Sequence, residues 1–378
     1  MIDNVRKLLV KYNGRTVGIL SEIEDRIGFQ YDEKWVKSGF SLSPFSLPLT
    51  REVYICRKDT FEGLYGVFYD SLPDGWGELL VSRMLAKRGI HYEALSPLTK
   101  LSVVSENGLG GLTYEPSQAD KEENRGTKYD FDVLAGQAAA ILNDGEGGTT
   151  DLDEIYRLGG SSGGARPKAH IREGDAEWIV KFPCRADPPE AGRRELEANL
   201  MARECGVEIN ECRLFPSGRC EGYFGAKRFD RNAGRRLHAV SLSALLETTH
   251  HVPNLDYMHF FQVISILCGE KEELYEGFRR VCFNIFYGNK DDHGKNFAFL
   301  YDEERKGYRL TPAYNLTRTP EKAEHEMTVL GNGNPAEKDL RALVKEWKLS
   351  SKRTEEILSR VQSVCSKSEN CVSRVDRQ

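Results

Sequence analysis

Between Phe278 and Tyr301 the chain changes character twice, and no other stretch constrains the fold as tightly. Phe278, Val281, Cys282, Ile285 and Phe286 recur at the spacing of a helix that turns one face to a core. The next residues are almost wholly polar: Asn289-Lys290-Asp291-Asp292-His293-Gly294-Lys295-Asn296. A β-rich run, Phe297–Tyr301, follows. A polar block in that position is either a turn, in which Asp and Asn serve backbone geometry, or a reactive loop. Asp291 and Asn296 stand at the D-x-x-x-x-N spacing of a kinase catalytic loop. In such a loop an Asp takes the proton of the attacking hydroxyl, and an Asn amide oxygen holds a metal on the phosphates. Phosphoryl transfer suits these residue types because its catalysis is mostly positioning and charge neutralisation.

A second candidate lies upstream, in Gly159-Gly160-Ser161-Ser162-Gly163-Gly164-Ala165-Arg166-Pro167-Lys168. Glycines let backbone N–H groups close around an anion, and the serines and Lys168 add donors. The same composition would also serve a flexible connector. No Gly-Lys-Ser/Thr follows, so it is not a Walker A loop, and strands rather than a helix come next. Those strands are predicted over Ala169–Arg172 and Glu177–Phe182, around the turn Glu173-Gly174-Asp175. Lys181 sits in the second strand among apolar residues, where a lone ammonium is costly, so it must reach a counter-charge. A helix is predicted over Arg193–Cys205, with Leu196, Leu200 and Met201 as its apolar side and Glu195 and Glu197 on it. Glycine loop, strand lysine, helix glutamate and D-x-x-x-x-N stand in the order they hold in a protein kinase.

The rest of the chain fits a mixed protein of 378 residues, a length for two or three domains. Lys7–Tyr12 and Arg15–Leu20 read as a hairpin around Asn13-Gly14. A helix is predicted over Trp76–Arg88, and the polar stretch Ser117–Lys128 reads as a boundary. After Arg231 the pattern turns mostly helical; Asn334-Pro335-Ala336-Glu337 reads as a helix start with Asn334 as cap, and helices fill Ala336–Trp347 and Lys352–Val364. With 53 Lys plus Arg against 58 Asp plus Glu, the net charge of −5 argues against wrapping nucleic acid by bulk charge. Arg228, Arg231, Arg235 and Arg236 form a basic cluster, read as a solvated face or a contact for DNA or an acidic partner. Charges break Met1–Val10 as a secretory signal, and His259–Cys268 is too short to span a bilayer. Nine scattered cysteines without a C-x-x-C pair read as buried free thiols of a cytoplasmic protein. His250-His251 reads as a polar loop pair with no further metal ligands nearby.

Over nearly its whole length the sequence resembles the HipA family, bacterial serine/threonine kinases of toxin–antitoxin pairs. The resemblance lies in Phe68-Tyr69-Asp70-Ser71-Leu72-Pro73-Asp74-Gly75, in Gly163–Lys168, in Lys181, and in the Glu195 helix running to Glu204-Cys205-Gly206. It continues in Lys227-Arg228-Phe229-Asp230-Arg231, similar to the family's E-R-F-D-R hinge, in Asp291–Phe297, and in Leu310-Thr311-Pro312-Ala313-Tyr314-Asn315. It implies an α+β, two-lobed protein-kinase-like fold with an extra N-terminal β-rich subdomain (1–120), a glycine-loop lobe (121–226) and a mainly helical catalytic lobe (227–378).

The resemblance also implies roles. Lys181 would bind the α- and β-phosphates of ATP, oriented by Glu195, with Ser162, Gly163, Gly164 and Lys168 in the nucleotide loop. Lys227 to Phe229 would line the adenine hinge, and Asp230 would lie near the ribose. Asp291 would be the catalytic base and Asn296 a Mg²⁺ ligand; Ser161, or Ser162 beside it, would be autophosphorylated and switch the kinase off. His293 either orients the loop or makes a structural hydrogen bond, and Lys295 either touches the γ-phosphate or pairs with Asp292. Implied partners are a small helix-turn-helix DNA-binding antitoxin, operator DNA mainly through it, and a protein substrate such as an aminoacyl-tRNA synthetase. One departure stands out: the family's metal-binding Asp is here Asn315. An amide oxygen can ligate Mg²⁺, but the missing charge is worth about 4 kcal/mol at ~4 Å and an effective dielectric of ~20, before desolvation. The site would then rely on Asp292 or on phosphate oxygens in a slow kinase, or the chain would be a nucleotide-binding pseudokinase serving as co-repressor or scaffold, or Asn315 would be an engineered Asp→Asn that traps the complex. A small-molecule phosphotransferase shares the D-x-x-x-x-N spacing but leaves the Phe68–Gly75 motif without a role.

Overall fold

Asn13 and Gly14 both take the left-handed backbone, at φ +46° and +78°, and fold β1 (Lys7–Tyr12) back on β2 (Arg15–Ile23) with Tyr12 opposite Arg15. The structure, a computed structural model, describes residues 2–104, 108–119, 129–143, 153–160 and 163–375, with side chains through 367. It divides into two units. The first comprises Met1–Arg193, Cys212–Val240 and Ala244–Thr249. There β3 (Arg26–Tyr31), β4 (Val53–Ile55) and β5 (Leu112–Glu115) complete an antiparallel sheet in the order β4-β3-β2-β1-β5. Leu8, Val10 and Tyr12 alternate onto its buried face. Around it lie α1 (Glu33–Ser38), α2 (Gly66–Tyr69) and α4 (Pro97–Val103).

A second antiparallel sheet in the same unit has the order β6-β7-β9-β8: β6 (Lys168–Glu173), β7 (Ala176–Lys181), β8 (Cys212–Phe215) and β9 (Tyr223–Lys227). Its strands Trp178 and Val180 pack with Trp76 and Leu80 of α3 (Trp76–Ala86), Leu134 of α5 (Phe131–Asn143) and Ile155 of α6 (Asp153–Gly159). The hairpin β10 (Arg231–Asn232) and β11 (Arg235–Arg236) follows. The chain then passes from one unit to the other along β12 (Ala239–Ser241) and α8 (Leu242–Leu245).

The second unit holds Arg194–Glu211, Ser241–Ser243 and His250–Gln378. Most of α7 (Ala191–Glu204) belongs to it, with α9 (Tyr257–Leu267), α10 (Lys271–Tyr287), α11 (Glu337–Glu346) and α12 (Ser351–Val375). α12 packs on α10 through buried Leu358, Val361 and Val364. Strands β13 (Leu255–Asp256), β14 (Ala298–Asp302), β15 (Gly307–Leu310) and β16 (Met327–Thr328) complete it; β14 and β15 form an antiparallel hairpin, and β13 pairs in parallel with β16. Among the described residues no helix is long and apolar enough to cross a membrane.

Several sequence expectations are corrected. α7 buries Glu195, Ala198, Asn199 and Ala202, whereas Leu200 is exposed and Leu196 and Met201 are half-buried. The inward face pairs two alanines with a glutamate and an asparagine, and Asn199 donates to the Glu195 carbonyl of its own helix at 2.8 Å. α11 begins at Glu337, with Asp339 accepting the Ala336 N–H at 2.8 Å, so Asn334 is not its cap. Cys56, Cys205, Cys282 and Cys365 are buried free thiols, but Cys184, Cys212, Cys220 and Cys268 are only half-buried.

His238, fully buried in the first unit, has its Nε2 2.9 Å from the Leu42 carbonyl and its ring 5.3 Å from that of Phe40. Burial pushes its pKa down to about 4 despite that hydrogen bond. Its folded pKa is thus depressed, so its contribution is present above the unfolded value and lost as pH falls. Between pH 7.5 and pH 5 this group alone should remove about 2 kcal/mol of stability. Urea unfolding of the wild type and of His238→Gln at both pH values checks this; an equal loss in the variant assigns the effect elsewhere.

Candidate active site

The catalytic-loop residues are held by the buried end of α10. Gly288 closes that helix in the left-handed conformation, φ +81°, with its N–H on the Asn284 carbonyl. Asn289 donates to the Asn284 side chain at 2.9 Å, Asn284 donates to the Tyr257 hydroxyl at 3.0 Å, and that hydroxyl donates to Asp292 at 2.6 Å. His325 Nδ1 lies 2.8 Å from the same Asp292 oxygen, and the Glu326 N–H donates to the other at 2.9 Å. Asp292 is fully buried and its acceptor sites are filled from all sides. Burial first, and the Asp292 charge next, push the Tyr257 hydroxyl pKa far up, so it stays a donor. The reading of Asp292 as a partner for Lys295 or a substitute metal ligand is therefore corrected: it is the anchor of the loop.

Its neighbour faces the other way. The Asp291 side chain is 40% exposed and meets Lys322 Nζ at 2.7 Å through Oδ1. His293 Nε2 lies 4.0 Å from Asp291 Oδ2, and His293 Nδ1 accepts the Lys295 N–H at 3.2 Å. Burial lowers the His293 pKa more than Asp291 raises it. Gly294 is needed at this bend, because a Cβ there would stand 2.5 Å from Ser243 Oγ and 2.7 Å from Leu255 Cδ1. Asn296 donates to the Asp291 carbonyl at 2.6 Å and accepts at Oδ1 from the Asn315 amide at 2.9 Å. The loop thus brings Asp291, Asn296 and Asn315 together. Asn315 adopts φ +53°, a conformation asparagine tolerates. The His250 ring packs 5.2 Å from that of His293 and 4.1 Å from that of His251, placing a pair read as a plain loop beside the site.

Sequence reasoning missed Lys322, His325, Glu326 and Tyr257. The one available signal was Lys322 and Glu326 at an i, i+4 spacing just after the Asn315 segment.

The remaining predicted residues lie elsewhere. Lys168 and Lys181 are directly opposite each other on β6 and β7, so both point to one face of the sheet. Like charges opposite one another oppose pairing, and a bound polyanion would relieve that. Lys168 Nζ donates to the carbonyls of Gly163 and Gly164, and Lys181 Nζ lies 5.7 Å from the Phe224 ring centre. The glycine segment is tethered to the Phe68–Gly75 motif: Gly164 N–H donates to Asp74, and the Trp76 N–H donates to the Gly164 carbonyl at 2.9 Å. A Cβ on Gly75 would come within 2.8 Å of the Gly164 backbone. Ser161 and Ser162 lie outside the described residues. Glu195 is buried on α7, in the second unit, whereas Lys181 belongs to the first.

At the hinge, Lys227 ends β9 opposite Trp178, Phe229 is half-buried, and the Arg228 N–H donates to the Glu177 carbonyl at 2.8 Å. Asp230 is buried, and it accepts from Arg228 at 2.7 and 2.9 Å, from Arg231 at 2.9 Å and from the Gly110 N–H at 2.7 Å. Arg228 also donates to the Gly108 carbonyl at 2.6 Å. The two arginines hold the Asp230 carboxyl far below the usual carboxylate range despite burial. Asp230 is a buried clasp on the 108–110 segment, with three of its four hydrogen bonds on Oδ2. The reading of Arg228 and Arg231 as part of a basic face is corrected: their side chains are buried and neutralised by Asp230.

Two adjacent aspartates should therefore separate stability from chemistry. Asp292→Ala strands several buried donors and should cost at least about 3 kcal/mol in urea unfolding. Asp291→Ala breaks a half-exposed ion pair and should cost under about 1 kcal/mol. Equal losses would refute the division.

Family models for the HipA-like C-terminal domain and the HipA N-terminal domain match residues 160–368 and 8–115. Two Sinorhizobium fredii proteins, "Putative kinase Y4dM" and "Putative kinase Y4mE", are each 25% identical to this chain. The first match covers 88% of this chain and 81% of the relative, the second 83% and 78%. HipA of Shewanella oneidensis MR-1, solved with HipB and its operator DNA, superposes with a TM-score of 0.71 at 17% identity, covering 95% of this chain and 90% of that one. That likeness shows a shared fold.

Proposed function

This chain belongs to the HipA family, and on that premise we propose that it is an ATP-dependent protein kinase that phosphorylates serine or threonine hydroxyls. The observation that carries the proposal is the outward Asp291 beside Asn296, on a loop whose other aspartate is buried and saturated. The opposed lysines of β6 and β7 support a polyphosphate ligand. In this reading Lys168 and Lys181 neutralise the phosphates, with Glu195 supporting Lys181. Asp291 receives the proton of the attacking hydroxyl, and backbone groups of Lys227 to Phe229 meet the base. Asn296 and Asn315, with phosphate oxygens, would hold Mg²⁺, which supplies charge neutralisation at the transferring phosphoryl. Two amide oxygens are acceptable hard ligands but bring no negative charge, so they would hold Mg²⁺ weakly and turnover would be slow.

Self-inactivation by phosphorylation of Ser161 or Ser162, a role as the toxin of a pair with a helix-turn-helix antitoxin, operator contact through that antitoxin, a protein substrate of the synthetase class and a cytoplasmic location belong to the same proposal. A second reading, a nucleotide-binding scaffold without transfer, is favoured by one observation: the Asn315 amide hydrogen-bonds to Asn296 where a metal-gathering carboxylate would otherwise stand.

Transfer of labelled γ-phosphate to the chain itself and to lysate proteins decides between them. The wild type should label slowly, Asp291→Ala should lose at least ~100-fold, and Asn315→Asp should label faster at lower Mg²⁺. Label that survives Asp291→Ala rules out that base. No label from the wild type or Asn315→Asp, with ATP still raising Tm, selects the scaffold.

A further inference from the structure

We propose that Lys322 is a positioning residue for phosphoryl transfer, fixing Asp291 so that Oδ2 is the atom that receives the substrate proton; this rests on the reading of Asp291 as base. Lys322 Nζ grips Asp291 Oδ1 at 2.7 Å and Glu326 Oε1 at 2.6 Å. One ammonium between two carboxylates, one of them held on its own segment, is a fixed charge and not a roaming one. Burial alone would lower its pKa, but the hydrogen bonds to Asp291 and Glu326 raise it above the usual value.

The backbone beneath Lys322 is equally constrained. Lys290 Nζ donates to the carbonyls of Lys322 at 2.9 Å and Ala323 at 3.0 Å, and the Lys290 N–H donates to Thr319 Oγ1 at 2.7 Å. The Glu326 N–H lies 3.1 Å from the Lys290 carbonyl. The segment Thr319–Glu326 is thereby laced to the loop that carries Asp291, and Lys322 approaches the carboxylate from one defined side.

The two oxygens of Asp291 differ as a result. Oδ1 carries the ammonium. Oδ2 has His293 Nε2 at 4.0 Å, beyond hydrogen-bond reach, and accepts no hydrogen bond from the described residues. In the step itself the substrate oxygen bonds to the γ-phosphorus, the bond from that phosphorus to the β-phosphate oxygen breaks, ADP leaves, and the hydroxyl proton passes to Oδ2. A carboxylate free to rotate would offer either oxygen at varying angles, and misplacement of about 1 Å costs on the order of 100-fold. As a mere tie the pair would contribute little, because both side chains are partly exposed, at 31% and 40%.

The test measures kcat and the KM for ATP, with urea unfolding alongside, for full-length Lys322→Met, Lys322→Arg, Glu326→Gln, Asp291→Ala and the Lys322→Met/Asp291→Ala pair. Lys322→Met should lower kcat by ~10–100-fold with KM within about twofold, Lys322→Arg should restore part of it, and Glu326→Gln should fall between. In the Asp291→Ala background Lys322→Met should change the residual rate no further, since a residue acting through Asp291 has nothing left to position. Wild-type kcat in Lys322→Met overturns the proposal. So does a double variant that loses the product of the two single effects. Should Lys322→Met fail to fold, unimpaired kcat in Glu326→Gln overturns it and a reduced kcat supports it. An active Asp291→Ala removes the base reading itself, a result distinct from an inert Lys322 beside a dead Asp291→Ala.

Discussion

The second unit is organised around one buried carboxylate. Asp292 lies at no measurable exposure and takes hydrogen bonds from the Tyr257 hydroxyl of α9, the His325 ring and the Glu326 backbone. A charge placed there is tolerable only because every lone pair is used. The same requirement forces three separate stretches of chain to converge. The Tyr257 hydroxyl is held in turn by Asn284 of α10, so the end of the long helix, the start of α9 and the 325–327 segment share one polar junction. The parallel pairing of β13 with β16 locks the flanking residues on either side. With Asp292 drawn inward, the next residue back along the chain has to face out, and Asp291 gains its position from its neighbour's burial.

Legibility in the sequence followed the range of the interactions. The Asn13-Gly14 hairpin and the D-x-x-x-x-N spacing are local patterns that lie where their turn chemistry places them, whereas the α10 stripe is corrected in part: Phe278, Val281 and Cys282 are buried, but Ile285 and Phe286 are half-buried and Phe283 turns inward instead. What one sequence conceals is which of two adjacent aspartates is buried, because that depends on Tyr257 and His325, far away along the chain. Arg228 and Arg231 resemble surface cations for a related reason: Asp230 between them neutralises them, but their burial depends on the 108–110 segment, whose carbonyls they also reach. On α7 the hydrophobic pattern misleads because the inward face holds Glu195 and Asn199 with two small alanines, and leaves Leu200 exposed. Lys322 is invisible without the fold that brings it to Asp291.

The glycine segment and the 289–296 loop obtain their geometry in different ways. The 289–296 loop is fixed by buried side-chain hydrogen bonds that leave little freedom. The glycine segment is held from outside, by residues that precede it by a long stretch of chain: the Asp74 carboxylate takes the Gly164 N–H, the Trp76 backbone N–H meets the Gly164 carbonyl, and the Trp76 indole N–H meets the Lys168 carbonyl at 3.0 Å.

That tether bears on inheritance. The residues that shape the glycine segment are written in two distant parts of the gene. A recombination event joining this glycine segment to a foreign N-terminal region would deliver a loop without its mould, unless Asp74, Gly75 and Trp76 came with it. The two regions are therefore expected to travel through lineages as a linked pair, and a trimmed version starting near the glycine segment would not be a smaller form of the same protein.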